Sequence, residues 1–139
     1  MKIKLIEFGG KVPERNHYND AGSDVFARTS PTAEIVVEPG EIKKIPLGFG
    51  LILPDGLVAF VLPRSGMAAN KGLTTEVVPI DSGYRGEVHA IVHNTNKEPY
   101  PIYNGDKIAQ LVIIPVILAD FDTKTFEERD MKGFGSSGY

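Results

Sequence analysis

The stretch Leu73-Thr74-Thr75-Glu76-Val77-Val78-Pro79-Ile80, continuing as Asp81-Ser82-Gly83-Tyr84-Arg85-Gly86-Glu87 and Val88-His89-Ala90-Ile91-Val92, decides the fold class. Two apolar, β-branched runs flank a segment of acid, turn formers and an aromatic ring. β-branched and aromatic residues favour extended backbone, and Gly with Ser and Asp favours a reversal. The stretch predicts two strands joined by a tight turn that holds a carboxylate and a flat ring side by side. Such a turn suits a pocket for a small flat-ringed substrate. It is equally compatible with a plain hairpin.

The same pattern extends in both directions. Strand-like runs fall at residues 2–8, 35–37, 42–47, 49–53, 57–62 and 107–115. Pro39-Gly40, Pro54-Asp55-Gly56 and Asn104-Gly105-Asp106 punctuate them. No window carries a long helical period with caps. Residues 67–71 and 126–131 each suit one short helical turn. Regular short strands without long helices predict an all-β sandwich, barrel or jelly roll. Exposed sheet edges in so small a domain invite self-association.

The 139 residues suggest one domain, with no solenoid repeat and no internal change of composition before residue 133. There is no cysteine, which fits a reducing compartment. No signal-like segment follows Met1, and the longest apolar run is interrupted by Pro115. The chain is therefore read as soluble and cytoplasmic, with no membrane partner. A net charge of −3 argues against a nucleic-acid partner, since that affinity rests on neutralising phosphates. A single polyphosphate can still be held by local arginines, backbone N–H groups and a metal ion.

Five segments carry candidate chemistry. In Ala21-Gly22-Ser23-Asp24-Val25-Phe26-Ala27, an acid stands before an apolar strand; the plain alternative is an Asx-capped turn. Pro63-Arg64-Ser65-Gly66 follows a strand and forms a small anion cradle, or a helix start capped by Ser65. The Asp81–Tyr84 turn is the third. In Gly105-Asp106-Lys107-Ile108-Ala109-Gln110-Leu111-Val112, the polar Gln110 interrupts an apolar strand, either for function or on an exposed face. The tail Arg129-Asp130-Met131-Lys132-Gly133-Phe134-Gly135-Ser136-Ser137-Gly138 resembles a disordered terminus, yet places a lone Phe between glycines, as an arm carrying an aromatic lid would.

Other sites are disfavoured. His89 and His93 lie in a strand-like run, where residues four apart are separated by roughly 13 Å. Without cysteine this pair is not part of a cysteine-containing zinc site. Neither a Walker-type phosphate loop nor a nucleophile elbow occurs.

Taken in order, the five segments resemble the five motifs of the trimeric deoxyuridine triphosphatases (dUTPases), and the resemblance spans Ala21 to Gly138. It implies an all-β, β-clip or jelly-roll-like barrel over residues 1–132, with a flexible arm at 133–139 that closes over the site. It also implies a homotrimer with sites shared at subunit interfaces, and Mg²⁺-dependent hydrolysis of dUTP to dUMP and pyrophosphate. That activity keeps uracil out of DNA and supplies dUMP for dTMP synthesis. By motif match, Asp81 is the base that activates water and Tyr84 packs under the deoxyribose. Backbone at Val78, Pro79 and Ile80 reads uracil. Arg64, Ser65, Gly66 and Gln110 serve the phosphates. Arg129 neutralises the terminal phosphate, Phe134 stacks on uracil beside Gly135, and Ser136 and Ser137 contact phosphate. Asp24 holds the site or meets the metal through water, with no direct protein ligand.

The chain departs from the usual pattern in three places. Gly83 replaces a second acid. The run before Ile80 is short and reads Val78-Pro79, where Pro79 has no N–H. Asp130 and Lys132 stand where glycines are common. The related dCTP deaminases share part of the third motif, but their catalytic acid falls at Ile91 here, which disfavours deamination. Some phage relatives also bind regulatory proteins, so a protein partner is a second expectation.

Overall fold

The computed structural model describes residues 1–124. Among them are the strands β1 (Lys4–Glu7), β2 (Ser23–Phe26), β3 (Ile35–Val37), β4 (Ile42–Pro46), β5 (Phe49–Ile52) and β6 (Leu57–Leu62). The short helix α1 (Ser65–Lys71) follows, then β7 (Leu73–Glu76), β8 (Pro79–Ile80), β9 (His89–Asn94), β10 (Tyr100–Ile102) and β11 (Lys107–Pro115). The fold is all-β and jelly-roll-like, as expected. Its sheets do not close into a barrel: the strand orders are β1-β5, β10-β3, β2-β11-β6-β8 and β4-β9-β7.

Alternation sets the core. In β9, Ala90, Val92 and Asn94 point inward, while His89, Ile91 and His93 are half-buried on the other face. Ile45, Leu47, Phe49, Leu51, Leu73, Ile102 and Ile108 fill the centre between the sheets. The buried polar Asn94 is satisfied by donating to the carbonyls of Val37 and Glu98. α1 stops at Gly72, whose φ of 66° is the left-handed cap conformation that glycine adopts without strain.

Four local expectations are corrected. Residues 73–80 do not form one strand. β7 pairs with β9 from Leu73↔Asn94 to Glu76↔Ile91, after which the chain leaves for the other sheet and pairs as β8 with β6. The segment from Asp81 to Glu87 keeps a tight turn at Asp81–Tyr84 but joins strands of two different sheets, so it does not close a hairpin. Asp24 lies within a strand, not ahead of one, because its neighbours Val25 and Phe26 need burial. β10 was not anticipated, since Pro101 interrupts its pattern. Lacking an N–H, that proline fits a strand with one pairing partner. Finally, Ser65 is the first helical residue, and Arg64 occupies the cap position without a side-chain bond.

Candidate active site

The crossing from β7 to β8 opens a slot. Register would place Val78 opposite His89, but Val78 has already turned toward β6 with β8. Ala59↔Ile80 must be the hydrogen-bonded pair of the β6–β8 ladder, because Pro79 has no N–H to give to Phe60. Ile80 thus directs its N–H and C=O at β6. Pro79, one residue earlier, directs its carbonyl to the opposite edge. On the far side of the slot, Val88 donates to the Phe49 carbonyl at 2.8 Å and accepts from the Leu47 N–H at 3.0 Å. His89, one residue on, directs its N–H and C=O the other way, toward the edge that β7 has vacated. Two acceptors and one donor of the backbone therefore border the slot. The motif match places this role on Val78, Pro79 and Ile80; the register restricts it to Pro79 on that strand and adds His89.

A cavity of about 240 Å³ occupies this place, lined by Val78, Pro79, Ile80, Asp81, Tyr84 and Ile91, among others. The Tyr84 N–H donates to the Asp81 carbonyl at 3.1 Å, closing the turn. The Tyr84 hydroxyl donates to the Glu87 carbonyl at 2.8 Å, and the ring lies over Gly86, where a β-carbon would collide with it. Among the described residues no cation lies within salt-bridge distance of the exposed Asp81 carboxylate. Glu87 is different: hydrogen bonding from the Arg28 guanidinium, helped by the Gly48 N–H, outweighs burial and lowers its pKa.

A second cluster gathers the other motifs. Asp24 lies 3.2 Å from Arg64 Nε and 3.5 Å from Lys107 Nζ. Gln110 pairs with Asp24 on one side and Leu62 on the other, and its Nε2 donates to the Pro63 carbonyl at 3.1 Å. Gln110 is thus half-buried and holds the Pro63-Arg64-Ser65-Gly66 loop, in place of an exposed polar face. Gly22 lies against it, and a β-carbon there would overlap the Gln110 amide and displace it. Arg64, Lys71 and Lys107 border a cavity of about 260 Å³. Lys71 ends α1 and Lys107 opens β11, and the sequence assigned neither a role.

The two clusters are not contiguous in one chain. Ile80 is level with Ala59, whereas Arg64 follows the far end of β6, which at about 3.3 Å per residue puts roughly 15–20 Å between the acid and the cradle. A larger groove, about 710 Å³, lies elsewhere, walled by Ile3, Leu5, Leu51 and Leu111. Among the described residues, no group of three or more His, Cys, Asp or Glu could hold a metal. Arg129, Phe134, Gly135, Ser136 and Ser137 lie outside the described residues, as does the boundary expected at residue 132.

An all-β chain with a slot beside a carboxylate and an aromatic ring, and a separate cluster of cations, has the features of proteins that handle nucleotides. The dUTPase family model matches residues 9–138. The deoxyuridine 5'-triphosphate nucleotidohydrolase of Leifsonia xyli subsp. xyli is 45% identical over 135 residues, covering 93% of this chain and 86% of that protein. A mutant dUTPase from phage phi11 of S. aureus, solved to describe coordination of a structural Mg(II) ion, superposes with a TM-score of 0.83 at 27% identity, covering 92% of this chain and 99% of that one. The dUTPase of Staphylococcus bacteriophage 80alpha, described in connection with control of virulence-gene transfer, gives a TM-score of 0.80 at 26% identity, covering 91% and 99%. The chain belongs to the dUTPase family.

Proposed function

We propose that this chain hydrolyses dUTP to dUMP and pyrophosphate at a site assembled from the slot of one copy and the cradle of another. The observation that carries the reading is the slot, where the Pro79 carbonyl and the His89 N–H and C=O have no strand partner among the described residues, beside the Asp81–Tyr84 turn. Uracil presents N3–H as a donor between two carbonyl acceptors. A backbone carbonyl facing N3 accepts from uracil, whereas cytosine carries a lone pair there and is repelled. The His89 N–H can donate to a uracil carbonyl.

With the base in the slot, the sugar falls on the Tyr84 ring. The ring's contact with Gly86 and its bond to the Glu87 carbonyl leave it no room to yield to a 2′-hydroxyl. The α-phosphate then lies near Asp81, three residues back in the same turn. The Asp81 carboxylate accepts a proton from water, whose oxygen bonds to phosphorus as the α–β anhydride breaks and pyrophosphate leaves. General-base help of this kind contributes about 10²–10⁴-fold. Arg64, Ser65, Gly66, Lys107 and Gln110 form or support the phosphate cradle, with Asp24 orienting Arg64 and Lys107. With so few convergent carboxylates, Mg²⁺ would be held mainly by phosphate oxygens and water, where it supplies charge neutralisation. By motif match, Arg129, Phe134, Gly135, Ser136 and Ser137 complete the site as a closing arm.

The separation of Asp81 from Arg64 supports a homotrimer with interfacial sites. So do the apolar side chains beyond β11, where Ile117 is 88% and Phe121 90% exposed. No helix among the described residues is long and apolar enough to cross a membrane, and a cytoplasmic location fits the substrate. Release of pyrophosphate from each deoxynucleoside triphosphate in Mg²⁺ tests the activity: selective turnover of dUTP is expected, and equal turnover of dCTP refutes the base-reading. Subunit mixing tests the assembly. Asp81→Asn and Arg64→Ala proteins, each impaired alone, should regain about one quarter of wild-type activity after reassembly from a 1:1 mixture, because complementary copies meet in that share of sites. No recovery after confirmed exchange refutes the shared site.

A further inference from the structure

Glu87 ties together groups that the motifs do not connect. Arg28, just past β2, donates from Nε and Nη2 to both Glu87 carboxylate oxygens at 2.7 Å each. The Gly48 N–H, from the turn between β4 and β5, donates to the same carboxylate at 2.8 Å. The Glu87 side chain is only 11% exposed, so water does not readily replace these partners. Its backbone carbonyl accepts the Tyr84 hydroxyl at 2.8 Å and lies 2.9 Å from His89 Nδ1. A carbonyl only accepts, so His89 carries a proton on Nδ1. One peptide therefore anchors both the ring under the sugar and the residue bordering the base.

We propose that the Arg28–Glu87 ion pair is the positioning device for nucleoside recognition, setting affinity for the deoxynucleoside and its preference over the ribonucleoside. This rests on the reading of the slot as the nucleoside site. Neither side chain touches the reacting atoms. The fork of Arg28 and the Gly48 N–H fix the carboxylate in three directions, and the Glu87 peptide follows. The Val88 N–H of the same peptide keeps its bond to the Phe49 carbonyl at 2.8 Å, so loss of the carboxylate's anchor tilts the Glu87 carbonyl about that bond, and the Tyr84 ring shifts on Gly86 far enough to admit a 2′-hydroxyl.

Glu87→Gln keeps the size of the side chain but removes its charge. Arg28→Lys keeps the charge but removes the two-pronged geometry. Steady-state kinetics with dUTP and UTP, together with melting curves, decide the matter. Each variant should raise KM for dUTP about 10-fold and lower the dUTP-to-UTP ratio of kcat/KM about 10-fold, with kcat within about 3-fold of wild type. Folded variants with unchanged KM and ratio overturn the proposal, whatever their melting temperature, because they leave the pair a purely structural role. If Glu87→Gln does not fold, Arg28→Lys carries the same test. A wild-type protein that does not prefer dUTP over UTP would instead refute the nucleoside-site reading itself, which separates the two failures.

Discussion

A single methyl group at residue 22 tests how the phosphate cradle is held. Gly22 is not among the positive-φ glycines, so its backbone accepts alanine and the cost of Gly22→Ala is steric. The new β-carbon would overlap Gln110 Oε1, with Gln110 Cδ at 3.0 Å and Cβ at 3.3 Å. Gln110 is paired through β11 with Asp24 and Leu62 on its two sides, so its backbone cannot retreat. The amide must swing away and release the Pro63 carbonyl. Overpacking costs about 1–3 kcal/mol and the lost hydrogen bond about 1, offset by about 0.5 from the stiffer unfolded chain, for a net loss of about 1.5–3.5 kcal/mol. At roughly 4 °C per kcal/mol for a domain of this size, the midpoint should fall by about 6–14 °C at matched protein concentration. KM for dUTP should rise as well, because Pro63 leads directly into Arg64. In a Gln110→Ala background the same substitution should cost less than about 1 kcal/mol, since most of the obstructing side chain is gone. A midpoint within about 2 °C of wild type, or an equal cost in both backgrounds, refutes the reasoning.

Asp81→Asn should lower kcat by at least about 10² while nucleotide affinity, measured by calorimetry with a non-hydrolysed analogue, stays within a few fold. Unchanged turnover removes Asp81 from the role of base. Gly86→Ala should push the Tyr84 ring off its seat, since the added carbon falls within 3.0 Å of the ring's Cε1. The assay is the dUTP-to-UTP ratio of kcat/KM, expected to fall about 10-fold or more; an unaltered ratio separates the ring from sugar selection. Hydrogen bonding from Arg28, helped by the Gly48 N–H and with the His89 ring nearby, outweighs burial and holds the Glu87 pKa below the ordinary carboxylate value. Its stabilisation is present above the unfolded-state pKa and lost as pH falls through the lower folded value. Melting temperatures of wild type and Glu87→Gln should therefore converge as pH drops from about 5 toward 3. A constant gap over that range refutes the linkage.

Most of the strands were legible because their patterns are local. Residues 35–37, 57–62 and 107–115 have the boundaries that their apolar runs suggest. The run at 73–80 shows where such reading stops. Val77 and Val78 favour extended backbone in either sheet, so composition cannot say that β7 ends at Glu76 and that β8 belongs to β6. Gln110 illustrates the same boundary within the site. Its polarity marked it, but whether it faced water or the Pro63 carbonyl depended on the neighbouring strands.

By itself, then, the sequence determined the all-β class, the ordered motifs and the residue types available for chemistry, because propensity, turn formation and side-chain identity are carried by short stretches. Only the tertiary structure decided which backbone groups remain unpaired in the slot, that Arg28 and Gly48 fix Glu87, and that Asp81 and Arg64 stand at opposite ends of β6. Those facts depend on register and on contacts between residues distant along the chain. A strand displaced by one residue would carry the same letters and turn every one of those groups to the other side.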